Sequence, residues 1–175
     1  MADHLIKFYR NPDEYPASSE GLKSLLFEGN IEINGWGCKP GTDIPLGGCV
    51  GTVIWVLGES LYVFHAGDTS GVHIRDEKAI ELTQPHQLPD GAVFRYFGVG
   101  SDLKIDVNSN SIDEYDRILL MSDGVTDVFH PLDAAGLTIE HIDIARAVDT
   151  LVQRSQNLGS ADDITAICEK QYLRS

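Results

Sequence analysis

Ile118-Leu119-Leu120-Met121-Ser122-Asp123-Gly124-Val125-Thr126-Asp127 sets four apolar residues in a row against an abrupt polar stop. A short continuous apolar run closed by turn residues reads as a strand buried on both faces. Asp before Gly is the turn chemistry that ends such a strand. The stop leaves Asp123 and Asp127 where a buried strand meets solvent, the place from which loops on a rigid sheet hold catalytic or metal-binding groups.

Two other acidic turns share that setting. Gly159-Ser160-Ala161-Asp162-Asp163-Ile164-Thr165 opens a tail, residues 163–172, of strand composition with Ile164, Ala166 and Cys168 on one face. Gly67-Asp68-Thr69-Ser70-Gly71 closes the apolar run 61–66. Turn chemistry alone accounts for any one of them. Together, the clusters around Asp123 and Asp162 suit a hard divalent cation such as Mg²⁺ or Mn²⁺, which takes oxygen ligands, and neither contains His or Cys. Carboxylates that converge without a cation repel one another. For Asp68 a local turn role and a direct role both stay open.

Around these clusters the pattern is antiparallel β with helices at either end. Residues 52–57 and 61–66, rich in β-branched and aromatic side chains, flank Gly58-Glu59-Ser60 and predict a hairpin. Residues 72–75 and 78–83 flank Asp76-Glu77 and extend it to a meander. A short helix is expected over residues 3–9, broken by Asn11 and Pro12. Ser18 and Ser19 precede Leu22, Leu25, Leu26 and Ile33 at helical spacing, which predicts a capped helix over 19–34. Ile139, Ile142, Ala145, Ala147, Val148, Leu151 and Val152 predict one long helix over 138–158, bounded by Gly159. Residues 35–48 and 85–91 read as loops and 106–116 as turn-rich, while 92–99 fits either a short helix or a strand. Trp55, Tyr62 and Phe64 read as packing. His65 and His73 lie in strands without a paired ligand pattern and read as structural, and His130 follows the Asp123 cluster closely.

The chain has 175 residues, 42% of them hydrophobic, with 27 acidic and 13 basic side chains and a net charge of −14. That is one folded domain spanning 1–175, its negative charge spread around a real core. The charge repels phosphate backbones and anionic lipid, so neither nucleic acid nor a membrane surface is an expected partner. The most apolar window, residues 46–57, falls short of the roughly 20 residues a spanning helix needs. The opening Met1-Ala2-Asp3-His4 has neither the basic nor the apolar region of a secretory signal, and a cytoplasmic setting is expected. Cys38, Cys49 and Cys168 form no close pair and read as free thiols. No P-loop, Cys-x5-Arg loop, Gly-x-Ser-x-Gly elbow or His-Glu-x-x-His helix is present, so no side-chain nucleophile is marked.

In this order, the motifs resemble one family. Gly67-Asp68-Thr69 is similar to its Gly-Asp-Ser turn, and residues 119–127 to its Leu-Leu-x-Ser-Asp-Gly-Leu-Thr-Asp block. Gly159-Ser160-Ala161-Asp162-Asp163-Ile164-Thr165 is similar to its Gly-x-x-Asp-Asn-Ile-Thr block. Gly48-Cys49-Val50-Gly51-Thr52 matches its Gly-rich hairpin entry, and Arg95-Tyr96-Phe97-Gly98 its Arg-x-Leu-Gly element. The chain is identified as resembling the metal-dependent (PPM, or type 2C) protein serine/threonine phosphatases.

The resemblance implies an α+β fold, a sandwich of two antiparallel sheets flanked by helices, with two Mn²⁺ or Mg²⁺ ions at one edge. It implies Asp123 and Asp162 as metal ligands. Asp163 stands where the family has Asn, and Asp127, Asp68 and Gly124 fall beside the ligands in structural or peripheral positions. The implied activity is hydrolysis of phosphoserine and phosphothreonine in a phosphoprotein substrate by a metal-bound hydroxide. The family's Arg-x-x-Asn-Glu-Asp strand and Asp-Gly-His-Gly-Gly turn have no counterpart here. A form reduced at its N-terminus is therefore expected, short of strands and of the bridging Asp, weakly active, and able to self-associate through an uncovered sheet edge. The alternative is a catalytically impaired phosphatase-like domain serving as a regulatory or interaction module.

Overall fold

Two tight turns decide how the strands pair. Gly58, at φ +58°, joins β1 (Gly51–Leu57) to β2 (Ser60–Ala66). Asp76 and Glu77, at φ +48° and +63°, join β3 (Ser70–Arg75) to β4 (Lys78–Glu81). Two left-handed residues make the turn whose twist matches that of the strands it connects. With β5 (Asp106–Ser111), β6 (Arg117–Met121) and β7 (Ala166–Lys170), the strands form a three-stranded sheet, β1-β2-β5, and a four-stranded antiparallel sheet, β4-β3-β6-β7. The structure, a computed structural model, describes residues 1–11 and 17–171.

These residues fall into two compact units. One holds Thr52–Val63, Asp68–Pro85 and the described part of Asn108–Ser175. In it, the alternation of β6 serves two cores. Leu119 and Met121, with Val72 and Ile74 of β3, face α4 (Pro131–Ile139) and α5 (Ile144–Asn157), where they bury Ala134, Ala135 and Leu151. Ile118 and Leu120 face the other way, toward Leu61, Val63, Ile54 and Val56 of the three-stranded sheet and toward Ile112 and Leu82. This is the expected sandwich with helices on an outer face. Each fully buried aliphatic side chain contributes about 1.5–3 kcal/mol, so the two faces of β6 hold the layers together.

The other unit comprises Met1–Gly51, Phe64–Gly67 and His86–Val107. Its helices are α1 (Ala2–Arg10) and α2 (Ser19–Asn34), the latter capped by the Ser18 side chain, which accepts from the Gly21 N–H at 3.1 Å. Asn30, fully buried, donates to the Gly100 carbonyl at 2.6 Å and accepts from the Gly98 N–H at 2.7 Å, stapling α2 to that loop. Among the described residues no helix is long and apolar enough to cross a membrane.

Four expectations need correction. The single helix over 138–158 is two, because Asp143 starts afresh by accepting from the Ala145 and Arg146 N–H groups, while Arg117 takes the carbonyls of Thr138 and His141 at the end of α4. Ile142 falls in the break and is 97% exposed. The turn-rich stretch contains β5, a polar edge strand that exists because β2 offers it a ladder. The 92–99 stretch is neither helix nor strand; Phe97 exchanges both backbone bonds with Cys49, at 2.8 and 2.9 Å. β4 stops at Glu81, after which the Leu82 N–H turns to the Gly71 carbonyl. Pro12 and Tyr172, at the expected ends of the first helix and of the tail strand, lie outside the described residues.

Candidate metal centre

Strand register builds the site. Ser70 pairs with Met121, and Met121 with Ala166, so β3, β6 and β7 end level with one another. The residues just beyond those ends are Asp68 and Thr69, then Ser122 and Asp123, then Asp162 to Thr165. The buried run of β6 stops at Ser122, and Asp123 begins α3 (Asp123–Thr126), a single turn whose carbonyls bond back along the chain.

Two serines lock the second acidic loop against that turn. The Ser122 hydroxyl donates to the Asp163 carbonyl at 2.9 Å and accepts from the Thr165 N–H at 3.0 Å, while the Ser122 N–H donates to the Thr165 carbonyl at 3.0 Å. The Ser160 hydroxyl donates to the Gly124 carbonyl at 2.6 Å. Gly124 is the only residue type that fits there, since a Cβ would stand 2.5 Å from the Asp163 carbonyl oxygen and 3.2 Å from that of Asp162. The chain thus brings Gly124 against the backbone of Asp162 and Asp163, 38 and 39 residues on (162 − 124, 163 − 124).

The electrostatics are one-sided. The Asp123 carboxyl accepts from the Gly124 N–H at 2.9 Å, yet it is pushed above the usual carboxylate range, first by burial and then by the charge of Asp68, with smaller contributions from Asp162 and Asp127. Asp162 accepts from the Asp163 N–H at 2.7 Å. Asp68 is buried, Asp127, Asp162 and Asp163 are exposed, and none of these five carboxylates pairs with Lys, Arg or His among the described residues. Oxygen-only donors under mutual repulsion are chemically suited to Mg²⁺ or Mn²⁺. Among the described residues no group of three His, Cys, Asp or Glu converges on one point.

Other sequence-marked residues have structural work. Phe64 is fully buried, and Trp55 and Tyr62 pack ring against ring at 5.4 Å. His73 bonds Asp116 at 2.8 Å, and His65 stacks on His86 at 4.7 Å. His130 caps α4 by accepting from the Leu132 N–H at 3.3 Å. Sequence reasoning passed over Ser122 and Ser160, although the first adjoins Asp123 and the second stands two residues before Asp162. A serine in that position makes backbone contacts that only the fold reveals.

A family model described as Stage II sporulation protein E (SpoIIE) matches residues 48–171. Among curated proteins, Protein phosphatase 1E of Mus musculus and of Homo sapiens are each 26% identical over 157 residues, covering 69% of this chain and 21% of the relative. The chain therefore matches only about a fifth of those relatives' length. Among solved structures, PppA, a key regulatory component of T6SS in Pseudomonas aeruginosa, superposes with a TM-score of 0.79 at 20% identity, covering 95% of this chain and 77% of its own. The catalytic domain of the serine threonine protein phosphatase PstP, in complex with 2 manganese ions, gives 0.74 at 20% identity, with 97% and 80% covered. At such identities the likeness establishes the fold.

Proposed function

The chain belongs to the Stage II sporulation protein E (SpoIIE) family, and on that premise we propose that it is a metal-dependent protein serine/threonine phosphatase. The observation that carries this reading is the set of carboxylates at one end of the four-stranded sheet, two of whose loops are locked together by Ser122 and Ser160, left without a basic partner among the described residues. Asp123 and Asp162 would hold Mn²⁺ or Mg²⁺, with Asp68, Asp127 and Asp163 adding negative field around them. When bound, such ions supply an acidified water and the positive charge that a phosphoryl group needs as it is displaced. The chain's own contribution is positional. The Gly124 N–H orients one Asp123 oxygen, the serines fix the spacing of the two loops, and Gly124 keeps their backbones in contact.

The substrate class is a phosphoserine or phosphothreonine side chain on a protein, as the names of the relatives and structural neighbours indicate. Three free thiols suit a reducing, cytoplasmic setting, and a charge of −14 disfavours nucleic acid and anionic membranes. β1 and β5 are the edges of the three-stranded sheet, and copies pairing there would appear as a dimer in sedimentation.

The test is a Mn²⁺ titration read by calorimetry and by hydrolysis of a phosphothreonine peptide. Saturable binding with metal-dependent turnover, both lost in Asp123→Asn and Asp162→Asn, is the expected result. The alternative is a catalytically impaired phosphatase-like interaction domain. Binding absent at millimolar Mn²⁺, with no turnover, would establish it.

A further inference from the structure

One buried histidine grips both backbone groups of Gly67, in the acidic turn that follows β2. Gly67, the residue before Asp68, has φ +128°, and a Cβ there would fall 2.2 Å from Val50 Cβ, so only glycine fits. Its N–H donates to Nδ1 of His86 at 3.1 Å, and its carbonyl accepts from the His86 N–H at 2.7 Å. The His86 carbonyl accepts from the Phe94 N–H at 2.9 Å, which ties the clamp to the next segment.

The two ring nitrogens face different partners. With Nδ1 accepting from Gly67, a neutral ring carries its proton on Nε2, which faces Asp106 Oδ2 at 2.9 Å and lies equally close, 2.9 Å, to Arg95 Nη1. Arg95 donates to the other Asp106 oxygen. Asp106 is held below the ordinary carboxylate range; burial pushes it up, but the bonds and charges of His86 and Arg95 outweigh that. His65 stacked at 4.7 Å and Phe94 edge-on at 5.8 Å prevent the ring from swinging away, and His86 is only 5% exposed. A carboxylate that orders a histidine, which in turn orders a backbone amide, is more than packing requires.

We propose that His86 is a positioning residue that, through its ring Nδ1 and its backbone N–H, sets the path of Gly67 and so the placement of Asp68, the next residue in the chain. The proposal rests on reading the Asp68, Asp123 and Asp162 carboxylates as a cation site. Residues that orient a site's carboxylates from behind typically change metal affinity about 10–100-fold when removed.

Two near-isosteric replacements separate the ring's two jobs. Asn at 86 offers an amide oxygen about where Nδ1 lies but cannot reach Asp106. Gln reaches Asp106 but leaves the Gly67 N–H without an acceptor. In the metal-free wild-type chain, NMR should show a scalar coupling between the Gly67 amide nitrogen and His86 Nδ1, which needs no variant to measure. His86→Gln should move the Gly67 and Asp68 amide signals and weaken Mn²⁺ binding by about tenfold or more. His86→Asn should keep both near wild type even if its melting temperature falls as far. No coupling in the wild type, or equal effects of Asn and Gln on the Asp68 signal, overturns the clamp. A wild type that shows the coupling and the Asn–Gln difference but binds no Mn²⁺ supports the clamp and defeats the phosphatase reading instead.

Discussion

β3 and β6 carry carboxylates beyond both of their ends, and the two ends treat them in opposite ways. At the Arg75 and Arg117 end, Asp116 is 3% exposed and fully engaged. Arg75 donates to it from Nε and Nη2 at 3.0 and 2.7 Å, His73 contacts it at 2.8 Å, and the Asp113 N–H donates at 2.8 Å. At the Ser70 and Met121 end, Asp68, Asp123 and Asp162 have one another and no basic partner among the described residues. The same residue type, one sheet length apart, is lowered to about 2 at the first end and raised at the second. Burial opposes ionisation at both, so the difference is made by donors and neighbouring charges. A carboxylate satisfied internally serves structure; the unsatisfied ones are where, on the proposed reading, an external cation would sit.

Removing the satisfied member should cost most. Asp116→Ala leaves the buried His73 without its partner and Arg75 with only Asp113 and Ser111, and is expected to lower unfolding free energy by about 3 kcal/mol, measured by urea titration. A change below ~1 kcal/mol would mean that the two ends are not so different.

Chelation should strike only the other end. With EDTA, or in Asp123→Ala or Asp162→Ala, peptide phosphatase activity is expected to fall about 100-fold or more, while metal-free stability stays within ~1 kcal/mol of wild type. Activity that persists in a chelator would break the comparison at its functional side.

Acid should distinguish the ends by sign. The folded pKa of Asp116, about 2, lies below its ordinary 3.8, so its stabilisation is complete above about pH 5 and is lost as pH falls toward 2. The shift corresponds to roughly 2 kcal/mol. Asp123 is raised in the fold, so its protonation on acidification favours the folded state. Comparing urea midpoints from pH 6 to pH 2 in Asp116→Asn and Asp123→Asn should show a shallower acid loss in the first and a steeper one in the second.

The smallest effect is the most diagnostic. Asp123→Asn removes one of several mutually repelling charges and should raise metal-free stability by a few tenths of a kcal/mol, up to ~1. A loss of stability of that size would show that the carboxylate is already compensated.

Much of this was readable in advance, for identifiable reasons. α2 begins and ends where a Ser cap and a three-and-four stripe said it would, because its signals are local. The β1-β2 and β3-β4 hairpins follow from β-branched runs around short turns for the same reason. β5 was missed because Asp106-Val107-Asn108-Ser109-Asn110-Ser111 has no strand composition and exists only as a partner of β2. The break between α4 and α5 was missed because the apolar period runs through Ile142, while the bonds that end one helix come from Arg117, distant in sequence.

At the candidate site, the sequence by itself determined which residue types stand at strand ends: Asp68, Asp123, Asp127, Asp162 and Asp163, with glycines where turns must be tight. Only the tertiary structure decided that Ser122 and Ser160 close the gap between two of those loops, and that Asp116 is satisfied while Asp123 is not. The clamp of His86 on Gly67 is likewise invisible along the chain. A turn is set by neighbours within a few residues, but the charge state of a carboxylate is set by whatever register brings within a few ångströms, and register is settled by how whole faces of the sheet bury their side chains.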